Sequence, residues 1–321
     1  MSAKPKVGLY WCASCGGCEE TVVDLEEAIL DVVAAVDIVF WPCAMDFKYS
    51  DVEKLKDGEL AVSFINGAIR SSEQEHAAKL LRRKSAVVVA FGSCACMGGI
   101  PALANLTSKA AIFKASYTSG PTVENPGKTV PRESSIVDGH TLTLPTLYET
   151  VLTLDQVIDV DYYLPGCPPT PSLLAGAVNA LLTGTLPPKG AVLLPNKALC
   201  NSCDRNETKP ENLAIKEIKR IHQIQADPAI CFLAQGVLCM GPATRDGCGF
   251  PCVKGNMPCT GCYGPMQDAD QGARMIAALG GIIDADEDQF AGATRELADP
   301  AGTFYRYSLS SSLLGSCREG K

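Results

Sequence analysis

The chain has 321 residues, of which 46% are hydrophobic and 20% charged, with a net charge of −8. That is enough for two domains and a substantial core, and too apolar for a disordered chain. The acidic balance argues against nucleic acid as the main partner. No apolar run approaches the roughly 18 residues that span a bilayer. The stretch Met1-Ser2-Ala3-Lys4-Pro5-Lys6 carries neither a signal-peptide apolar region nor a twin-arginine pair, so a cytoplasmic location is expected.

In chain order, Val7–Trp11 reads as a first strand. Glu19–Val36 reads as a helix, with Val22, Leu25, Ile29, Val32, Val33 and Val36 on one stripe. Asp37–Trp41 and Leu60–Ile65 are further strands, and Glu73–Lys84 is a helix whose basic end suits the helix dipole. Ala86–Phe91 is an unbroken apolar run, as a strand buried on both faces requires. Residues 101–145 hold five prolines and little periodicity. They read as a long loop, either a mobile insertion or an arm that orders against a partner subunit. Val160–Leu164 is another strand and Ser172–Leu182 another helix. Thr183-Gly184 and Pro187-Pro188 mark a boundary. Beyond it lie helix candidates at Glu211–Ile224 and Met266–Leu279, and an acidic stretch at Asp284–Asp288. The expected fold is α/β: a flavodoxin-like, mostly parallel sheet domain over residues 1–190, then a cysteine-rich, largely irregular domain over 191–321.

Sixteen cysteines are the anomaly. Disulfide-rich secreted proteins are small and exported, so clustered cysteines in a reducing compartment point to metal. Cys12, Cys15 and Cys18 follow the first strand, Cys94 and Cys96 the fourth, and Cys167 the last. Strand C-terminal ends share one edge of a parallel sheet, so cysteines distant in sequence can meet there. Eight more lie between residues 200 and 262. Iron–sulfur clusters commonly take four thiolates with close-spaced pairs, and nearby glycines allow tight turns with N–H groups free for sulfur. Three sets emerge: Cys15, Cys18, Cys94 and Cys167; Cys200, Cys203, Cys231 and Cys239; Cys248, Cys252, Cys259 and Cys262.

Spacing leaves Cys12 or Cys96 able to replace Cys15 or Cys94, and leaves a compact zinc knot open for Cys248–Cys262. Cys43 reads as a buried structural thiol, and Cys317 is also left over. His76, His140 and His222 fall outside the cysteine sets. Gly92–Gly99 carries two bulky cysteines where a nucleotide loop needs small residues, so no flavin or nucleotide is expected in this chain.

Cys15-Gly16-Gly17-Cys18-Glu19-Glu20-Thr21, Gly92-Ser93-Cys94-Ala95-Cys96-Met97-Gly98-Gly99-Ile100 and Leu164-Pro165-Gly166-Cys167-Pro168-Pro169 resemble the proximal-cluster motifs of [NiFe]-hydrogenase small subunits. The resemblance selects Cys15, Cys18, Cys94 and Cys167 and leaves out Cys12 and Cys96. Cys200-Asn201-Ser202-Cys203 stands where many relatives have His-x-x-Cys for a distal cluster, which Cys231 and Cys239 would complete. Met257-Pro258-Cys259-Thr260-Gly261-Cys262 resembles the medial region, and a fourth cysteine there implies a [4Fe–4S] cluster.

The chain looks most like the methyl-viologen-reducing, F420-non-reducing group. That resemblance implies three [4Fe–4S] clusters, a large subunit bearing the nickel–iron centre, and a heterodisulfide-reductase-like flavin and iron–sulfur acceptor. It also implies a proton-relay role for Glu20, for which a helix N-terminal acid is the plainer alternative. The 20-kDa subunit of respiratory quinone reductases shares the proximal fold, but carries adjacent cysteines and lacks a cysteine-rich C-terminal part.

Overall fold

The computed structural model describes residues 4–316 apart from Asp268 and Ala298; Cys317 lies outside the described residues. β1 (Lys6–Trp11), β2 (Asp37–Phe40), β3 (Leu60–Asn66), β4 (Ser85–Phe91) and β5 (Tyr162–Leu164) form one parallel sheet in the order β2-β1-β3-β4-β5. This is the flavodoxin-like order expected from alternating strands and helices. One face packs Val7, Leu9, Val62, Phe64, Val89 and Phe91 against α1 (Gly17–Val23) and α5 (Pro171–Thr183). The other packs Tyr10, Leu60, Ile65, Val88 and Ala90 against α3 (Ser72–Lys84). The strands are apolar on both sides because helices cover both sides.

The register positions the site. Trp11 pairs with Asn66, Asn66 with Phe91, and Phe91 with Leu164. Four strands therefore end on one row, and a cysteine-bearing turn leaves three of those ends. Asp161 fixes the last strand. Its Oδ2 accepts from Val88 N at 2.8 Å and Arg82 Nη1 at 2.6 Å, and Lys189 Nζ lies 2.5 Å from Oδ1. Burial alone would raise this carboxyl, but hydrogen bonds from Lys189, Arg82 and the Val88 amide hold it below its ordinary value.

Several expected elements differ. The helix over Glu19–Val36 is two helices, α1 and α2 (Ala28–Ala35), separated by a turn with Glu26 at φ 54°. Residues 101–145 are not a structureless loop. They contain a 3₁₀ helix at Ile100–Leu106, helix α4 (Lys109–Lys114) and a hairpin pairing Ser134–Val137 with His140–Thr143. Asp138 and Gly139 both adopt positive φ, as a two-residue hairpin turn requires.

Glu211–Ile224 is not a helix. Ile215 bridges to Ile283 and Lys219 to Val237, and Ile215 and Ile218 enter the core in extended form. Only Ile221–Gln223 forms a 3₁₀ turn there. The helix expected at Met266–Leu279 begins later, as α6 (Gln271–Gly280), capped by the Asp270 side chain.

The C-terminal segment folds back over the first half. Gly99 N donates to Tyr307 O at 3.0 Å, Asn105 Nδ2 to Ser310 Oγ at 3.1 Å, and Ser310 Oγ to Val151 O at 2.7 Å. Asp161→Asn should cost about 2 kcal/mol at neutral pH by leaving the Arg82 guanidinium and the buried Val88 amide without a charged acceptor. A carboxyl held below its ordinary value contributes stability above the carboxylate range and loses it as pH falls. The gap between parent and variant should therefore narrow in acid. Anaerobic urea unfolding across pH checks both; equal midpoints at neutral pH would contradict the assignment.

Candidate metal centres

The turn after β1 is pinned by its neighbours. Cys12 N donates to Asn66 O at 2.8 Å, and Ala13 and Ala68 exchange two backbone bonds of 2.9 Å. Ser14 Oγ reaches Asn66 Oδ1 at 2.9 Å, and Trp11 Nε1 reaches Ser14 O at 3.1 Å. After β4, Ser93 N donates to Gly166 O at 2.8 Å and Gly166 N to Ser93 Oγ at 3.0 Å. The turns carrying Cys94 and Cys167 are thus tied directly together.

Cys15, Cys18, Cys94 and Cys167 lie within electrostatic reach of one another, with Cys15 exposed at the rim and Cys18 and Cys94 buried. Cys200, Cys203, Cys231 and Cys239 form a second such group. Cys248, Cys252, Cys259 and Cys262 form a third. All four of the third group, with Cys167, line a cavity of about 260 Å³. The three groups also touch. Cys262 interacts with Cys167 of the first, and Cys259 with Cys239 of the second. The Ser93 hydroxyl donates to Cys262 O, and Met240 N to Cys259 O at 2.9 Å.

The remaining thiols behave differently. Cys12 is buried on the Glu73 side of its turn. Cys96 is buried near Cys18 and Cys94, but its thiol donates to Ala90 O at 3.3 Å. Cys43 corrects the sequence expectation: it is exposed, on the turn after Trp41, with its thiol 3.4 Å from Glu19 Oε2.

Three observations test whether these groups fit metal. The first is electrostatic. Burial, reinforced by neighbouring cysteines, pushes the Cys94, Cys200 and Cys262 thiols up to about 12. Buried thiols gathered in one place ionise together only when positive charge sits among them. The second is steric. A Cβ on Gly92 (φ 85°) would overlap Cys18 Sγ, and one on Gly99 (φ 59°) would lie 2.5 Å from Cys94 Sγ. The third is backbone N–H aimed at sulfur: Phe250 N to Cys248 Sγ and Gly261 N to Cys259 Sγ, both 3.4 Å. Soft thiolate sets of this kind suit iron–sulfur clusters or zinc. Among the described residues, no three Cys, His, Asp or Glu side chains close on the position of one ion.

Sequence reasoning overlooked Glu19. It is 6% exposed, and it accepts from the Trp41 indole, the Asn66 amide and the Cys43 thiol. Burial pushes its carboxyl up, and those three hydrogen bonds oppose the shift. It clamps the turn carrying Cys18 to the ends of β2 and β3. Nothing in the local spacing distinguishes it from Glu20, which is exposed in the first turn of α1.

The fold and cysteine arrangement define a class. A family model described as "NADH ubiquinone oxidoreductase, 20 Kd subunit" matches residues 15–181. The chain is 39% identical to the iron–sulfur subunit of the F420-non-reducing hydrogenase of Archaeoglobus profundus, over 96% of this chain and 97% of that one. It is 38% identical to the corresponding F420-non-reducing hydrogenase chain of Methanothermobacter thermautotrophicus, over 98% and 97%. Its fold is similar to that of a chain of the solved [NiFeSe] hydrogenase from Desulfovibrio vulgaris Hildenborough, with TM-score 0.55 and 18% identity, covering 85% of this chain and 98% of that one.

The chain therefore belongs to the hydrogenase small subunits. Within them it falls in the family of F420-non-reducing hydrogenase iron–sulfur subunits. Members are parts of an oxidoreductase whose catalytic centre lies in a separate subunit. Gly92→Ala should displace the Cys18 sulfur and lower the metal content of the anaerobically purified chain. Full metal content in that variant would refute the cradle.

Proposed function

We propose that the chain is the electron-transferring small subunit of a cytoplasmic [NiFe]-hydrogenase, carrying three [4Fe–4S] clusters. Cys15, Cys18, Cys94 and Cys167 hold the proximal cluster, Cys248, Cys252, Cys259 and Cys262 the medial, and Cys200, Cys203, Cys231 and Cys239 the distal. The observation that carries this reading is the contact order of the groups. The first meets the third through Cys167 and Cys262, and the third meets the second through Cys259 and Cys239. Bound clusters supply one-electron carriers whose potentials depend on charge, sulfur hydrogen bonds and exposure.

The chain's own residues do the positioning. Glu19 and Asn66 hold the first turn, and Ser93 joins the proximal turns to the medial loop. The exposed Cys15 and Glu20 face outward at the proximal rim, where a large subunit with the nickel–iron centre docks. Electrons pass between that centre and a flavin and iron–sulfur acceptor subunit at the distal end. Residues 1–190 form the proximal-cluster domain and 191–321 the domain of the other two. No helix among the described residues is long and apolar enough to cross a membrane, in keeping with a cytoplasmic complex.

An electron-transfer subunit of another redox complex is the competing reading, and the F420-non-reducing hydrogenase relatives at 39% and 38% identity weigh against it. In the assembled complex, Cys259→Ala should abolish hydrogen-driven reduction of the acceptor subunit. Hydrogen–deuterium exchange, which needs no electron exit, should persist. Unimpaired acceptor reduction would contradict the relay. Glu20 carries protons at the subunit contact. Glu20→Gln should slow hydrogen turnover, by up to about a hundredfold, with iron unchanged; equal rates in both directions would remove that role.

A further inference from the structure

Arg205 lies two residues after Cys203 and is 7% exposed. Its guanidinium stacks over the Phe232 ring at 4.5 Å, and Phe232 adjoins Cys231. Its Nη2 donates to Val253 O at 2.8 Å and to Asn256 Oδ1 at 3.1 Å, and Val253 adjoins Cys252. The Asn256 amide is itself held by a 2.9 Å bond to Ala226 O. The Arg205 carbonyl accepts from Thr208 Oγ1 at 2.7 Å, and that oxygen accepts from Cys231 N at 2.8 Å. Arg205 therefore ties the segments that carry Cys203 and Cys231 to the segment that carries Cys252.

Two features exceed what anchoring needs. Nη1 is buried without a hydrogen-bond partner. None of the ion pairs among the described residues involves Arg205. A guanidinium stays charged at any working pH, and a buried charge without a counter-charge is costly. A neutral anchor would make the same stacking contact without that cost. Four-thiolate clusters are anionic, so clusters on both sides would balance the charge, and a free N–H would find sulfur as its acceptor.

Resting on the cluster assignment above, we propose that Arg205 is a potential-setting residue of the electron path. Its fixed positive charge, on segments that carry ligands of both the medial and distal sites, favours their reduced states, and Nη1 is the buried N–H left free for cluster sulfur. Positive charge near a cluster raises its potential, because reduction adds an electron there. The first cysteine group lies beyond the third and is influenced least.

The test is a redox titration of the assembled, anaerobically purified complex, followed by electron paramagnetic resonance, in the parent, Arg205→Met and Arg205→Lys. Arg205→Met should lower the midpoint potentials of the medial and distal clusters and leave the proximal one in place. Arg205→Lys keeps the charge and should stay nearer the parent. The parent should also show an exchangeable proton coupled to a reduced medial or distal cluster, and this should be lost in Arg205→Met. Unchanged potentials with full iron in Arg205→Met would overturn the proposal, as would equal shifts of all three clusters. Loss of iron from both variants would make Arg205 a structural anchor only and equally overturn it. Zinc in place of iron and sulfide in the parent would instead defeat the cluster reading beneath it.

Discussion

Gathering thiols away from water is the constraint on which this structure depends. Each of the three groups brings four cysteines together, and burial raises the thiols of Cys18, Cys200 and Cys262 rather than ionising them. Positive charge among them reverses that preference and converts mutual repulsion into cohesion. The stretch from Leu199 to Gly264 is where this matters most. It is built from 3₁₀ turns, isolated bridges and one four-residue helix. Its buried apolar residues, among them Ile215, Leu233 and Met240, pack against the first half and the C-terminal segment, and metal held by its eight cysteines would add cross-links to that core.

The sheet serves this chemistry through register. Trp11, Asn66, Phe91 and Leu164 end on one row, and short turns leave that row carrying cysteines. Asn66 shows how tightly strand and site are joined. Its amide donates to Tyr10 O and to the Glu19 carboxylate, and its carbonyl oxygen meets the Ser14 hydroxyl. Ser93 performs the matching task on the other side, bonding both Gly166 and Cys262. The C-terminal segment closes the arrangement from above, with Tyr307 meeting Gly99 and Thr260. The two halves of the sequence thus share one packed interior around the cysteine groups.

The sheet was largely legible in the sequence because its strands are apolar on both faces and each is followed by a glycine- or cysteine-bearing turn. Parallel strand ends direct Cys15, Cys18, Cys94 and Cys167 toward one edge, whereas the other eight cysteines are grouped in the sequence only by their close spacing. What escaped was set by contacts distant in sequence. Ile215 and Ile218 have helical spacing, but Ile215 is drawn into a bridge with Ile283 and the Ile218 amide donates to Ala293 O at the end of a helix. The Asp138-Gly139 pair carries a hairpin signal, but the surrounding prolines and the exposed, short strands on either side mask it. Glu19 and Glu20 are chemically identical neighbours, and only the position of Trp41 and Asn66 makes one buried and the other exposed. Spacing alone likewise could not separate Cys12 from Cys15.

The most direct test of the central claim is metal and sulfide analysis of the complex purified anaerobically with its partners. Iron, nickel, zinc and acid-labile sulfide are counted per small subunit. The account predicts about twelve iron and about twelve sulfide in this chain, with nickel and one further iron in the large subunit. Zinc with little sulfide would contradict the electron-transfer reading. Iron and sulfide without nickel, in a fully assembled and mature complex, would leave the relay but remove hydrogen as its source of electrons.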